Sequence, residues 1–476
     1  METTPFTQAA REEILRSFRQ THPDLLIAPP LLEKAVDHLA SCVQAPSGVF
    51  SSRWCSSEPG GNPVLNNNLL LPLVLAWCRL DPAVAADQVR SALDSRQKDG
   101  LIPSVCSPDG QVSAQAAWPL IVQSVECVWE HTRDQDLLTH SLPILQLYLE
   151  RALEYFDPTG MENPAWQSRE ESFIPDIFES GMIPVDLNVF LICELAAFIR
   201  LCREVPGHEQ STEFLADEYV KMTEHLQQFF WDSTVQRYCD RLPDGSSSQR
   251  ITLSCLMPLL YDLLPIERKN DLRDLLSSPR KFGAKQGLPA WLPWKDDAVK
   301  PPVVSLHQII ILEALRRAGL AFESGELRKE LAQALLKLPS HPSNADASPD
   351  RNSRSTLGEG PGERTATAAL TILLPLSSES GQNTARQIPP FLKTLDRHRV
   401  SFAALLSAMA LLLVLAGIYV YNKQQSSLPR QSIETMSGLA RQQYQEGNYD
   451  EAIQLAESLV QGSKTTTYLY FLIGNA

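Results

Sequence analysis

The stretch PVDLNVFLICELAAFIRL, residues 184–201, returns an apolar side chain at Leu187, Val189, Phe190, Ile192, Leu195 and Phe198. Spacings of three and four mark a helix. The same periodicity predicts helices over 7–20, 31–44, 65–79, 82–96, 113–132, 134–156, 184–204, 211–230, 250–263, 267–278, 303–318 and 324–338. Short breakers divide them: DPA at 81, KDGLIP at 98, DPTG at 157, VPG at 205 and LPDG at 242, all with turn chemistry. Alternating β-branched runs are few. Helices joined alternately by short and longer loops predict an all-α fold over residues 1–340, in which antiparallel hairpins close into an α/α toroid. An open superhelix is the rival, but no period of 34–40 residues shows in this region.

The chain has 476 residues, more than one ordinary domain. Hydrophobic residues make up 43%, enough for a sizeable core. A net charge of −14 lacks the basic footprint that nucleic acid demands, so no nucleic-acid partner is expected. Nine cysteines all precede residue 300, none forms a CxxC pair, and the number is odd. They predict buried reduced thiols in a cytoplasmic setting, and neither a disulfide framework nor a zinc site. The start, METTPFTQAAREE, has no apolar run and no cleavage pattern. There is no phosphate-cradling glycine loop, no GxSxG elbow and no HExxH motif, so no cofactor and no metal are expected.

Towards the end, VSFAALLSAMALLLVLAGIYVYN, residues 400–422, carries no charge. Its length matches the roughly 20 residues that cross a bilayer core, and Tyr419 and Tyr421 lie where interfacial aromatics belong. Lys393, Arg397 and Arg399 precede it, against Lys423 and Arg430 after it. The positive-inside rule then predicts a single-pass membrane protein with its N-terminal domain in the cytoplasm and its C-terminus on the opposite side. Beyond a linker at 423–438, residues 439–476 contain EGNYDEAI, with Ala440, Tyr444, Gly447, Tyr449, Ala452 and Ala456 at packing positions. This segment resembles a tetratricopeptide repeat, and YFLIGNA resembles the start of a second. The resemblance implies protein partners. A single repeat cannot bury its own apolar face, so the sequence is expected to be a fragment or the protein unusually short. An isolated helical hairpin is the alternative.

Between toroid and membrane, residues 341–365 are rich in Ser, Pro and Gly and read as a loop or linker. Residues 366–376 read as a short element that closes the toroid, and 377–399 as a second linker.

Several motifs recur in a fixed order. GMENPAW (160–166) precedes VDLN (185–188). Around them lie KDGLIP (98–103), FWDSTVQRYCDRLPDG (230–245), GLPAWLP (287–293), PPVVSLHQIIILEALRRAGL (301–320) and ERTATAALTILLPL (363–376). Together they resemble the inverting α-glycosidases with an (α/α)6 toroid: trehalase, processing α-glucosidase, and mannosylglycerate or glucosylglycerate hydrolase. The similarity spans about residues 30–376.

That resemblance implies an α-linked sugar ligand and two carboxylates. Inversion uses one as general acid and one to activate water, roughly 6.5–9.5 Å apart. The family's acid is the aspartate of its GMD motif, which falls on Glu162 here. Its base falls in SNADASPDRNSRSTLGEGPGERT, where Asp346 is the nearest acid, with Asp350 and Glu359 as further candidates. Substrate contacts would fall to Gln115, Trp118, Asn163, Trp166, Trp291 and Trp294. The sequence also departs from the pattern. Val304 stands at a family tryptophan, Cys55 at an early aspartate, and no Glu–aromatic pair marks the base. A longer acid also displaces the proton donor by roughly an ångström, an error that can cost about 10²-fold in rate. Three functions therefore stand: a degenerate toroid kept for carbohydrate binding or protein interaction, an active inverting α-glycosidase, and a helical scaffold unrelated to sugar. The losses favour the first.

Overall fold

The computed structural model describes residues 8–21, 28–57, 59, 62–160, 163–207, 213–277, 282, 287–293, 301–336 and 363–373. All belong to the first of two compact units, residues 1–387. The expected membrane span and repeat, and the linkers beside them, lie outside the described residues. Among the described residues no helix is long and apolar enough to cross a membrane.

The helices are α1 (Gln8–Thr21), α2 (Pro29–Cys42), α3 (Leu70–Leu80), α4 (Pro82–Asp94), α5 (Ile121–Thr132), α6 (Gln135–Phe156), α7 (Val185–Arg203), α8 (Glu213–His225), α9 (Ile266–Ser277), α10 (Ser305–Arg317), α11 (Ala321–Leu336) and α12 (Glu363–Leu373). A 3₁₀ helix, Leu253–Leu260, lies between α8 and α9. Taken in order, α3, α5, α7, the 3₁₀ helix, α10 and α12 each pack on the next, and α12 packs back on α3. Six inner segments thus close a ring. Helices α2, α4, α6, α8, α9 and α11 pack against its outside. Inner and outer segments alternate along the chain, so antiparallel pairing turns all six inner N-termini towards one end. This is the mostly helical toroid that the periodicity and motif order imply.

Burial follows this division. In α7 only Arg200 and Arg203 escape burial, because the helix is covered by the ring on one side and the outer layer on the other. Outer helix α8 instead buries one stripe, Leu215, Tyr219 and Met222.

Three predicted helices are shorter than expected. Residues 113–120 form a loop, and α5 begins only at Ile121. Pro119 disfavours helical backbone before it, and the loop's backbone bonds elsewhere: Ser104 N to Gln115 O at 2.8 Å and Ala117 N to Ile102 O at 2.9 Å. Leu65–Asn66 pairs with Val105–Cys106 as a two-stranded ribbon before α3 starts. Residues 250–263 yield only the 3₁₀ helix, within which Pro258 removes a helical donor. One loop position requires glycine. Gly48 has φ of +57°, and a Cβ there would meet Pro108 O at 1.7 Å.

The ring is tied at its N-terminal end by carboxylates. Helices α5, α7 and α10 have no capping side chain of their own, which leaves first-turn N–H groups to satisfy. Glu194 of α7 accepts from Val122 N at 2.8 Å and Gln123 N at 3.0 Å of α5. Asp240, ahead of the 3₁₀ helix, accepts from Val185 N of α7 at 2.8 Å. Glu363 of α12 accepts from Ser305 N of α10 at 2.6 Å. Each cap comes from the next segment in ring order. Cations gather at the opposite end, with Arg79, Arg200, Arg203, Arg316 and Arg317 in the last turns of α3, α7 and α10. Both placements suit the helix dipoles.

Candidate active site

The loops that precede the inner helices converge at the capped end of the ring. One of them joins α6 to α7 and includes positions 161 and 162. Met161 and Glu162 lie outside the described residues, as do Asp346 and Trp294. The frame on either side of Glu162 is described. Asp157 ends α6 and gathers the turn: its carboxylate accepts from Thr159 Oγ1 at 2.9 Å and from Asn163 N at 3.2 Å. Gly160 takes a φ of +64°, and Ala165 N donates to Phe156 O at 2.9 Å.

On the far side the first turn of α7 holds the loop. Asp186 Oδ1 accepts from Trp166 Nε1 at 2.9 Å and from Leu187 N at 2.6 Å. Its Oδ2 accepts from Ser254 Oγ at 2.5 Å. Asn188 Nδ2 donates to Pro164 O at 3.1 Å and to Pro184 O at 2.8 Å. Asp186, Asn188 and Asp240 are all buried. Burial raises the Asp186 carboxyl above the usual range, against the pull of its three donors. Burial raises Asp240 too, followed by the neighbouring charge of Asp186. Burial and the charge of Asp186 thus both favour the protonated form of Asp240.

Glu171 locks the loop to its neighbour. It accepts from Ala116 N at 2.9 Å, Gln167 N at 3.1 Å and Tyr155 Oη at 2.5 Å. Trp118 Nε1 donates to Glu171 O at 2.7 Å, and Trp118 N to Asn68 Oδ1 at 2.9 Å. Three of the expected sugar platforms are described, and all three are buried. Trp118 is 6% exposed, Trp166 3% and Trp291 3%, too little of a ring face to cover a pyranose. Gln115 is half-buried, and its carbonyl accepts from Ser104 N. Asn163 is half-buried, and its backbone N–H donates to Asp157.

Phe173 completes the arrangement. It has no exposed surface. Its ring meets Trp118 edge-on at 5.1 Å, Phe190 of α7 at 5.4 Å and His307 of α10 at 4.3 Å. His307 Nε2 donates to Phe173 O at 2.8 Å, and burial lowers that imidazole to about 4. Helices α7 and α10 are separated in the ring by the 3₁₀ helix. Phe173 thus links both helices to the loop ahead of α5. Glu171, Phe173, Asp240 and His307 were not singled out by the sequence. Asp186 lay inside the VDLN motif without a role. Only the closing of the ring brings these residues together.

A profile of the family described as Trehalase matches residues 166–341. The GH63 mannosylglycerate hydrolase of Thermus thermophilus, solved in complex with glucose, is similar in structure with a TM-score of 0.57 at 16% identity, covering 72% of this chain and 100% of that one. The same enzyme with Tris and D-glycerate gives 0.57 at 15% identity, covering 72% and 99%. The GH78 rhamnosidase of Bacillus sp. GL1 gives 0.52 at 15% identity, covering 78% of this chain and 35% of that one. At these identities the likeness is one of fold: the toroid is that of these glycosidases. No curated protein matches by sequence.

Proposed function

We propose that this chain is a glycoside hydrolase-like toroid that has given up turnover and serves as a carbohydrate-binding or protein-interaction module. One observation carries the reading. Phe173, fully buried, packs on Trp118, Phe190 and His307 where the loop ahead of α7 meets α7 and α10. An inverting site needs open, wet space there for a sugar ring and for water between two carboxylates. The substitution of Val304 for the family tryptophan points the same way. On this reading the charge-free segment 400–422 tethers the module to a membrane, and the repeat-like residues 439–476 offer a second protein-binding surface beyond it.

A second reading has its own support. The frame around Glu162 is intact, with Trp166 on Asp186 and Pro164 on Asn188. An active inverting α-glycosidase would use Glu162 as general acid and Asp346 as base. Calorimetric titration of the full chain with α-glucosides and α-mannosides, with free sugar assayed in the same cell, separates the readings. Binding without sugar release, or no binding at all, fits the first. Release of free sugar fits the second.

A further inference from the structure

Two of the buried thiols lie side by side at the end of the ring opposite the capped N-termini. Cys78 in the last turn of α3 and Cys127 on α5 bring their sulfurs to 4.0 Å. His131 lies four residues after Cys127, on the same face of α5, and its Nδ1 is 4.0 Å from Cys127 Sγ. One donor atom from each of the three residues lies within 4.8 Å of the others. We propose that Cys78, Cys127 and His131 form a binding site for one zinc ion, clamping α3 to α5.

The geometry suits that ion. Tetrahedral zinc with bonds of about 2.3 Å to sulfur and about 2.0 Å to nitrogen holds its ligand atoms about 3.3–3.8 Å apart. Shifts of a few tenths of an ångström bring Cys78 and Cys127 to that spacing. On binding, the two thiols release their protons to solvent, and two thiolates balance the charge of Zn²⁺. The cysteines are buried and His131 is exposed, so the histidine closes the wet side and the fourth position falls to water. The carbonyl-rich C-terminal ends of α3 and α5 favour a cation. His131 Nδ1 also lies 2.7 Å from Cys127 O; on metal binding it gives up that hydrogen bond and turns its lone pair to the ion, while Nε2 carries the ring proton. A disulfide would need an oxidant and has no use for the histidine. CxxC spacing could not reveal such a site, because its two thiols come from different helices.

The test is titration of the reduced full chain with Co²⁺ and Zn²⁺, followed by absorption. The expected result is one equivalent of Co²⁺ with thiolate-to-metal charge-transfer bands, displaced by Zn²⁺. Affinity should fall at least about tenfold in His131→Ala, whose exposed position spares the fold, and the charge-transfer bands should vanish in Cys127→Ser. Cys106→Ser, in a separate cluster, should bind as the parent does. Stoichiometric binding that survives both ligand substitutions would overturn the site. So would a parent chain that binds no Co²⁺, or a purified chain carrying a Cys78–Cys127 disulfide.

Discussion

Asp186 accepts hydrogen bonds from Trp166, Leu187 and Ser254, three groups on three stretches of chain. Removing a buried acceptor costs about 1–3 kcal/mol for each donor left unpaired. Asp186→Ala should therefore lower the unfolding free energy by about 3 kcal/mol or more in urea melts, and Asp186→Asn by clearly less, since the amide oxygen still accepts. Asp240 supplies a pH dependence. Its pKa is pushed up to about 7 by burial and then by Asp186, against an unfolded value of about 4. The folded state therefore binds more protons than the unfolded one between these values, and stability falls as pH rises through that window. His307 opposes it: its folded pKa is lowered to about 4, so it costs stability as pH falls below about 6.5. The difference between variant and parent isolates the carboxyl. Stability of Asp240→Asn relative to the parent should rise from pH 4 to pH 7, read from urea melts across that range. A flat difference would deny the acid pair.

At the scale of elements, the inner segments take their caps from their neighbours. Glu194→Ala should strand Val122 N, Gln123 N and Gln123 Nε2 at the start of α5 and cost about 3 kcal/mol or more. Faster amide exchange at Val122 and Gln123 would confirm that the loss sits there. Much of this level was legible in the sequence. Apolar spacing marked α7 and most other helices, because a helix buried on one or more faces must repeat its apolar positions. The pattern failed at 113–120, 65–69 and 250–263, where Pro119, a two-stranded ribbon and Pro258 override periodicity. It could not show the caps either. Glu194 reads as one more helical glutamate until α5 and α7 lie side by side, and Asp240 as one more loop acid.

At the scale of the whole molecule, motif order gave the toroid its expected kinship, and the fold likeness to glycosidases agrees with it. The candidate site was less legible. The sequence offered tryptophans as sugar platforms, yet side-chain type says nothing of whether a ring faces a cleft or the core. Trp118 and Trp166 lie in the core with their indole N–H groups engaged. The membrane reading belongs to this scale too. Protease added to sealed vesicles of the full chain, with the cytoplasmic face outward, should digest residues 1–399 and spare 439–476; the reverse pattern would invert the orientation. The account turns most on whether the ring still performs chemistry. Sugar release from trehalose, mannosylglycerate and a panel of α-glucosides and α-mannosides should be measured for the full chain beside Glu162→Gln. The expected result is no release above the Glu162→Gln background on any substrate. Steady turnover of one of them that Glu162→Gln abolishes would contradict the account.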